Sequence, residues 1–156
     1  MKRIPLTQAR FALVDDEDFE WLNQWKWYAI KSSNTYYAVR MSNRPTRKII
    51  RMHRLILNVS PHLDTDHVNH NGLDNTRKNL RSCTGSQNQM NGQKRRGSSR
   101  FKGVYLMGSL YRAQIRLNGK LHEVGCFDSE IEAAKAYDVK AQKLFGEFAN
   151  LNFPND

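Results

Sequence analysis

Asp64-Thr65-Asp66-His67-Val68-Asn69-His70-Asn71-Gly72-Leu73-Asp74-Asn75, followed by Asn79-Leu80-Arg81 and then by Ser86-Gln87-Asn88, is the stretch on which the reading of the chain turns. His, Asn, Asp and Arg are poor material for a hydrophobic core and good material for a metal or phosphate site. Residues 64–91 therefore mark the functional centre. Asn71-Gly72 has the composition of a tight turn, which predicts Asp66 and His67 on one strand, an antiparallel return, and a helix that holds Asn88. The ends of such a strand-turn-strand-helix unit converge.

Phosphodiester hydrolysis needs a water deprotonated near neutral pH, a cation to neutralise charge on the pentavalent transition state, and stabilisation of the leaving 3′ oxygen. A His can do the first and a metal the other two. A hard divalent ion, Mg²⁺ or Mn²⁺, favours oxygen ligands, which Asp66 and the Asn88 side-chain carbonyl supply, with waters and a phosphate completing the shell. His67 is then left as base. The bland alternative for Asp66 and His67, each taken singly, is a surface turn with incidental polar residues; the spacing argues against it.

These residues resemble the HNH, or ββα-metal, nuclease family, especially its phage homing-endonuclease branch. The resemblance rests on Asp66-His67, on Asn79 twelve residues after the His, and on Asn88 twenty-one residues after it. Met52-His53-Arg54-Leu55 looks like the segment that often precedes the motif. The resemblance implies His67 as general base, Asp66 and Asn88 as metal ligands, and Asn79 as the structural middle residue that ties the loop and orients His67. It also implies products with 5′-phosphate and 3′-hydroxyl ends. His70 departs from the pattern, which usually has a turn glycine there. A structural zinc site built from His53, His67, His70 and Cys83 is not expected, because the short Cys/His pairings of such sites are absent.

Outward from this centre the charge is lopsided. The chain of 156 residues carries a net charge of +10, and between Asp74 and Glu123 there is no acidic residue but eleven Lys or Arg. Asp15-Asp16-Glu17-Asp18-Phe19-Glu20 runs the other way. Such asymmetry points to a polyanion, with nucleic acid ahead of an acidic membrane. Cys83 and Cys126 lack C-x-x-C spacing, so they read as two reduced thiols. No run of eighteen apolar residues occurs, and Met1 to Leu6 lacks a signal-peptide core, so a cytoplasm-like compartment is expected and no membrane partner; the resemblance to phage nucleases implies a phage or bacterial host cell.

Residues 1–50 read as short strands at Phe11 to Val14, Trp25 to Ile30, Tyr36 to Val39 and Lys48 to Met52, the last after a Ser-Asn-Arg-Pro-Thr turn, with a short helix after the acidic cluster. Trp21, Leu22, Trp25 and Trp27 are expected to anchor a small core, and no catalytic arrangement is visible in this segment. Residues 92–99, Gly-Gln-Lys-Arg-Arg-Gly-Ser-Ser, have the composition of a cationic linker. Three strands follow, Phe101 to Leu106, Leu110 to Leu117 and Lys120 to Phe127, the last two joined by Asn118-Gly119. Ser129-Glu130-Ile131-Glu132 is a capping box, and the helix it starts carries Ala133, Ala136, Tyr137, Ala141 and Leu144 on one face and stops near Gly146. The fold class is α+β: an N-terminal region and nuclease domain over 1–91, a linker over 92–99, and a three-stranded antiparallel sheet packed on one helix over 100–156.

The last 56 residues resemble the AP2/ERF DNA-binding domain, on Phe101-Lys102-Gly103-Val104, Tyr111-Arg112-Ala113-Gln114-Ile115-Arg116, Gly125-Cys126-Phe127-Asp128, Glu132-Ala133-Ala134-Lys135-Ala136-Tyr137-Asp138 and Leu151-Asn152-Phe153-Pro154. Period two puts Arg112, Gln114 and Arg116 on one face, and with Lys102, Tyr105 and Lys120 they could enter a major groove, where Arg pairs with guanine and Gln with adenine. The family pattern has Trp at Tyr111 and often Glu at Gln114. Arg77, Arg81, Lys94, Arg95, Arg96 and Arg100 join the expected contacts with double-stranded DNA, chiefly as phosphate ligands. The expected protein is a metal-dependent, site-recognising endonuclease of homing type. Its rivals are a non-catalytic sequence-specific DNA-binding regulator and an RNA-binding protein that stacks single strands on Tyr36, Tyr37 or Tyr105. The oligomeric state is left open, with a monomer not excluded.

Overall fold

A computed structural model of the chain describes residues 1–32, 34–43, 45, 47–94 and 97–154. Arg95 and Arg96, two of the expected phosphate contacts, and Arg44 and Thr46 of the expected turn lie outside the described residues. The chain is α+β, with small antiparallel sheets and, among the described residues, four α-helices. None of these helices is long and apolar enough to cross a membrane. Two compact units divide between Thr84 and Gly85, ahead of the change in composition at the linker.

In the first unit, β1 (Lys2–Pro5) pairs antiparallel with β2 (Phe11–Val14), and α1 (Asp16–Leu22) follows. β3 (Tyr28–Ser32), β4 (Thr35–Met41) and β5 (Ile49–Arg51) form a second sheet, and α2 (Met52–Leu57) leads on from β5. β1 has no counterpart in the sequence reading, because one apolar inward residue, Ile4, gives too little alternation to read. The strand expected from Lys48 to Met52 ends at Arg51, since Met52 is already helical and buried.

The core of this unit joins Ile4, Val14, Leu22, Trp27, Met52 and Leu80. Only two of the four residues expected to anchor it do so. Trp27 is buried, with its indole N–H donating to the Leu22 carbonyl at 2.8 Å. Trp21 is one position from Leu22 on α1, about 100° around the helix, and cannot share its inward face. It stays exposed and donates to Asp18 Oδ1 at 3.2 Å. Trp25 is also exposed, with the Arg40 guanidinium 3.9 Å from its ring centroid.

β6 (Asp64–His67) and β7 (Leu80–Cys83) close the unit as an antiparallel pair in which Asp66 faces Arg81 and His67 faces Leu80. The connection between them is not the tight turn expected at Asn71-Gly72. It is a broad loop in which Asp74 N–H donates to the Asn71 carbonyl at 3.0 Å and His70 holds the left-handed conformation at φ 61°. The loop is sewn to β2, because Leu13 N–H donates to the Leu73 carbonyl and Asn75 N–H to the Leu13 carbonyl, both at 2.8 Å. Gly72 serves close approach: a Cβ there would sit 2.5 Å from the Tyr36 carbonyl oxygen and 2.7 Å from the Tyr37 ring.

The second unit contains α3 (Gly85–Asn91), then β8 (Val104–Met107), β9 (Leu110–Leu117) and β10 (Lys120–Phe127) in a sheet of order β10-β9-β8, then α4 (Glu130–Phe145). Asn118 at φ 50° and Gly119 at φ 78° make the β9–β10 hairpin turn, a pair of left-handed positions for which Asn-Gly is suited. Ser129 Oγ accepts the Glu132 N–H and starts α4, whose buried face is Ala133, Ala134, Tyr137, Ala141 and Phe145. Ala136 is only half-buried, and Ala134 takes the place expected for it. Small alanines bring α4 close to the sheet, where Val104, Ala113 and Ile115 complete the core.

Candidate active site

β6 ends in the sequence Asp66-His67, and both side chains are turned inward, 6% and 5% exposed. Asp66 receives the guanidinium of Arg81 from the paired strand: Nε donates at 2.9 Å and Nη2 at 2.8 Å to the same oxygen, Oδ2. Charge-assisted bonds of this length fix the orientation of the carboxylate. Asp66 thereby offers a hard anionic oxygen donor in a nearly dry setting. Among the described residues no three His, Cys, Asp or Glu side chains converge to hold a metal. A cation at Asp66 would need amide, water or phosphate oxygens for the rest of its shell, the donor set a hard ion such as Mg²⁺ prefers.

Asn79 bridges the loop between the two strands. Its Oδ1 accepts the Asn69 N–H at 3.0 Å and its Nδ2 donates to the Asp74 carbonyl at 2.8 Å. Another side chain, Asn75, bears on the His67 ring. This residue is fully buried, its polar side-chain atoms have no well-formed hydrogen bond among the described residues, and its amide lies near enough to favour the protonated imidazole. Burial outweighs it. The desolvated His67 ring titrates below the ordinary imidazole range, with Asn75, Asp66 and Asp74 pulling the other way.

Two further rings flank His67. His53, on α2, lies with its centroid 5.0 Å away and its plane at 86°, and Tyr37, on β4, lies 5.7 Å away. Tyr37 and His53 touch each other at 5.4 Å. Burial, then the neighbouring His67, pushes the His53 pKa down to about 3, so this ring is neutral at any physiological pH. Residues 1–50, in which no catalytic arrangement was expected, thus supply Tyr37 to the surroundings of the base. The signal in the sequence was faint, since a Tyr in a strand and a His fourteen residues before another His carry no spacing rule.

The basic residues fall into several settings. Arg77 is drawn into the acidic cluster, with Nε donating to Asp18 Oδ2 at 2.9 Å, Nη2 to Asp18 Oδ1 at 2.8 Å, and its backbone N–H to Asp15 Oδ2 at 2.7 Å. The acidic run is therefore a clamp for the loop of the first unit. Arg81 is on Asp66, as described. Arg100 pairs with Glu130 at 3.2 Å and Arg112 with Glu123 at 2.9 Å. Tyr111 is half-buried against the core, and Lys120 is exposed at the start of β10. In β9, Ala113 and Ile115 are buried while Arg112, Gln114 and Arg116 alternate with them, so these three share the outer face.

Within the second unit a cavity of about 700 Å³ gathers Asn88, Lys94, Lys102, Tyr105, Gln114 and Arg116. Lys102 is committed inside it: Nζ donates to the Met90 carbonyl at 2.6 Å, and burial lowers its pKa to about 8 against the pull of Asp138. Ser86 Oγ donates to Asn118 Oδ1 at 3.1 Å and Asn150 Nδ2 to the Gly92 carbonyl at 3.2 Å. Together these bonds seat α3, which carries Asn88, against the C-terminal sheet and its flanking segments. Cys83 is buried, its thiol raised to about 11 chiefly by desolvation, and Cys126 is exposed.

Over 148 residues the chain is 34% identical to an uncharacterized HNH endonuclease of Acanthamoeba polyphaga mimivirus, a match that covers 93% of this chain and 76% of that protein. No family model matches the chain. No solved structure matches it either.

Proposed function

Because the chain belongs to the HNH endonucleases, we propose that it hydrolyses phosphodiester bonds of double-stranded DNA in a divalent-metal-dependent reaction, with His67 as general base and Asp66 and Asn88 as the metal ligands. The observation that carries this reading is the Asp66–His67 pair at the end of one strand, with an anionic oxygen and an imidazole adjacent, buried, and held by the opposite strand and the loop. When bound there, Mg²⁺ or Mn²⁺ would neutralise charge on the phosphate and on the leaving 3′ oxygen.

The residues do the rest. The neutral His67 ring, kept deprotonated by its dry setting, accepts a proton from the attacking water. Asp66 presents its carboxylate in the orientation that Arg81 sets. Asn79 holds the loop between the two strands, so that Asn75 stays against the imidazole. The likeness of residues 100–156 to AP2/ERF domains supports a role for the β8–β10 sheet in finding DNA, with Arg112, Gln114 and Arg116 on the outer face for base readout and the Lys residues for phosphate contact. A homing-type biology, in which the sheet selects a site and each active centre cuts one strand, is the reading this pairing of segments supports.

Plasmid nicking tests the proposal. Supercoiled DNA is expected to relax with Mg²⁺ or Mn²⁺, to survive in EDTA, and to survive when Asp66→Asn replaces wild type while gel-shift affinity persists. Metal-independent binding with no cleavage under any of these conditions would favour the non-catalytic regulator instead.

A further inference from the structure

We propose that His53 is a positioning residue for the general base: with Tyr37 it forms a ring clamp that holds the His67 imidazole in one orientation. This rests on the reading of His67 as base. The two imidazoles are edge to face at 5.0 Å and 86°, and the Tyr37 ring touches both at 5.4 and 5.7 Å. Each ring thus presents an edge or a face to the other two, an arrangement that a rotation of any one would break.

The clamp is itself fixed. His53 follows Met52 and precedes Ile56 on α2, and both of these are in the core of the first unit, so α2 cannot turn without opening that core. Tyr37 is held from the other side by β4, whose neighbour Ala38 is fully buried and whose backbone presses against Gly72 of the loop. His53 is 5% exposed, and among the described residues its Nδ1 has no hydrogen-bond partner. A ring nitrogen left unsatisfied is costly to bury. The ring shape of His53 and its contacts with His67 and Tyr37 are what the clamp uses. A base held loosely would lose the alignment of imidazole, water and phosphorus on which in-line attack depends, and misplacement by about 1 Å costs roughly 10²-fold.

The test compares His53→Ala, His53→Phe, Tyr37→Leu and His67→Ala in single-turnover nicking at saturating DNA, in gel-shift affinity, and in proton–carbon NMR spectra of the His67 ring recorded without metal. With the ring gone, His53→Ala is expected to nick roughly 10²-fold more slowly, to bind DNA as wild type does, and to show His67 ring signals broadened by exchange between orientations. His53→Phe keeps the ring without its nitrogens and is expected to restore both the rate and the sharp His67 signals. Tyr37→Leu, which leaves His53 in place, is expected to move rate and spectrum in the same direction as His53→Ala. A wild-type rate and spectrum in His53→Ala would overturn the proposal, and so would a His53→Phe protein as slow as His53→Ala with His67 signals unchanged, since the nitrogen would then be the acting group. Should His67→Ala nick normally, the base assignment fails instead, and the spectra still report whether His53 orders that ring.

Discussion

Arg81 sets two N–H groups on one oxygen of Asp66, Nε at 2.9 Å and Nη2 at 2.8 Å, across a strand pair in which the two residues are direct partners. Both side chains are largely withdrawn from water, 15% and 7% exposed. The guanidinium therefore stands where it can balance a carboxylate that the proposed function gives to a metal.

Removing that guanidinium leaves a buried charge without its cross-strand partner. Arg81→Met is expected to cost about 3 kcal/mol, the low end for breaking a buried pair. At ~2–4 °C per kcal/mol for a chain of this size the melting temperature should fall by about 6–12 °C in EDTA. Because a cation can take over the balancing charge, Mg²⁺ or Mn²⁺ should raise the melting temperature of the variant more than that of wild type. Equal metal-induced shifts would separate Arg81 from the ion's site.

Gly72 lets the loop meet β4. Gly72→Ala places a methyl 2.5 Å from the Tyr36 carbonyl oxygen, a backbone atom that cannot swing aside, and 2.7 Å from the Tyr37 ring. A loss of about 1–3 kcal/mol is expected in denaturant melts, together with slower nicking, because the same clash displaces a ring that touches His67.

Acid should destabilise the protein through its buried imidazoles. His53 titrates near 3 in the folded chain against an ordinary value of 6.5, and His67 is lowered too, each mainly by desolvation. Their folded values lie below the unfolded ones, so the unfolded chain binds more protons, and the stability from neutral burial is present above pH 6.5 and lost as pH falls toward 3. Denaturant midpoints at pH 7 and pH 4.5 should differ less in His53→Phe than in wild type. The nicking rate should hold to a pH below 6.5 before its acid limb begins, provided DNA is saturating.

Charge on the second unit should not act uniformly. Lys102 is half-buried and spends its ammonium on the Met90 carbonyl, whereas Arg116 is exposed on the outer face of β9 with one bond to the Gly119 carbonyl at 3.2 Å. Arg116→Ala is expected to weaken preference for the target and, if it contacts a phosphate, to flatten the salt slope by about 0.9. Lys102→Met is expected to lower stability with a smaller change in DNA affinity. Equal losses of affinity would place both side chains on the DNA.

Local signals explain what could be read from the sequence. Asn118-Gly119 and the Ser129 cap are decisions of four or fewer residues, and the hairpin, α4 and the bounds of β9 and β10 follow from them. Asp66 and His67 on one strand with an antiparallel return were legible from local signals. Because the turn expected at Asn71-Gly72 is a broad loop that moves the return strand along the chain, the partners Leu80 and Arg81 were not legible. The clamp around His67 was not, for it depends on β4 and α2 being folded back by a core whose members run from Ile4 to Leu80. The same long-range packing decides that Trp27 is inside while Trp21 and Trp25 remain outside, although all three are equally apolar. Arg77 and Arg81 show the limit of reading charge by composition, since each is spent on a carboxylate that the sequence places far away or on another strand.

The proposal that Asp66 and Asn88 bind one ion is tested most directly by a double-mutant cycle in metal affinity. Mn²⁺ is titrated calorimetrically into wild type, Asp66→Asn, Asn88→Ala and the double variant, all shown folded by their melts. Ligands of a common ion should couple, the second substitution costing little affinity once the first has been made. Strictly additive losses, or Mn²⁺ binding that is indifferent to either residue, would contradict it.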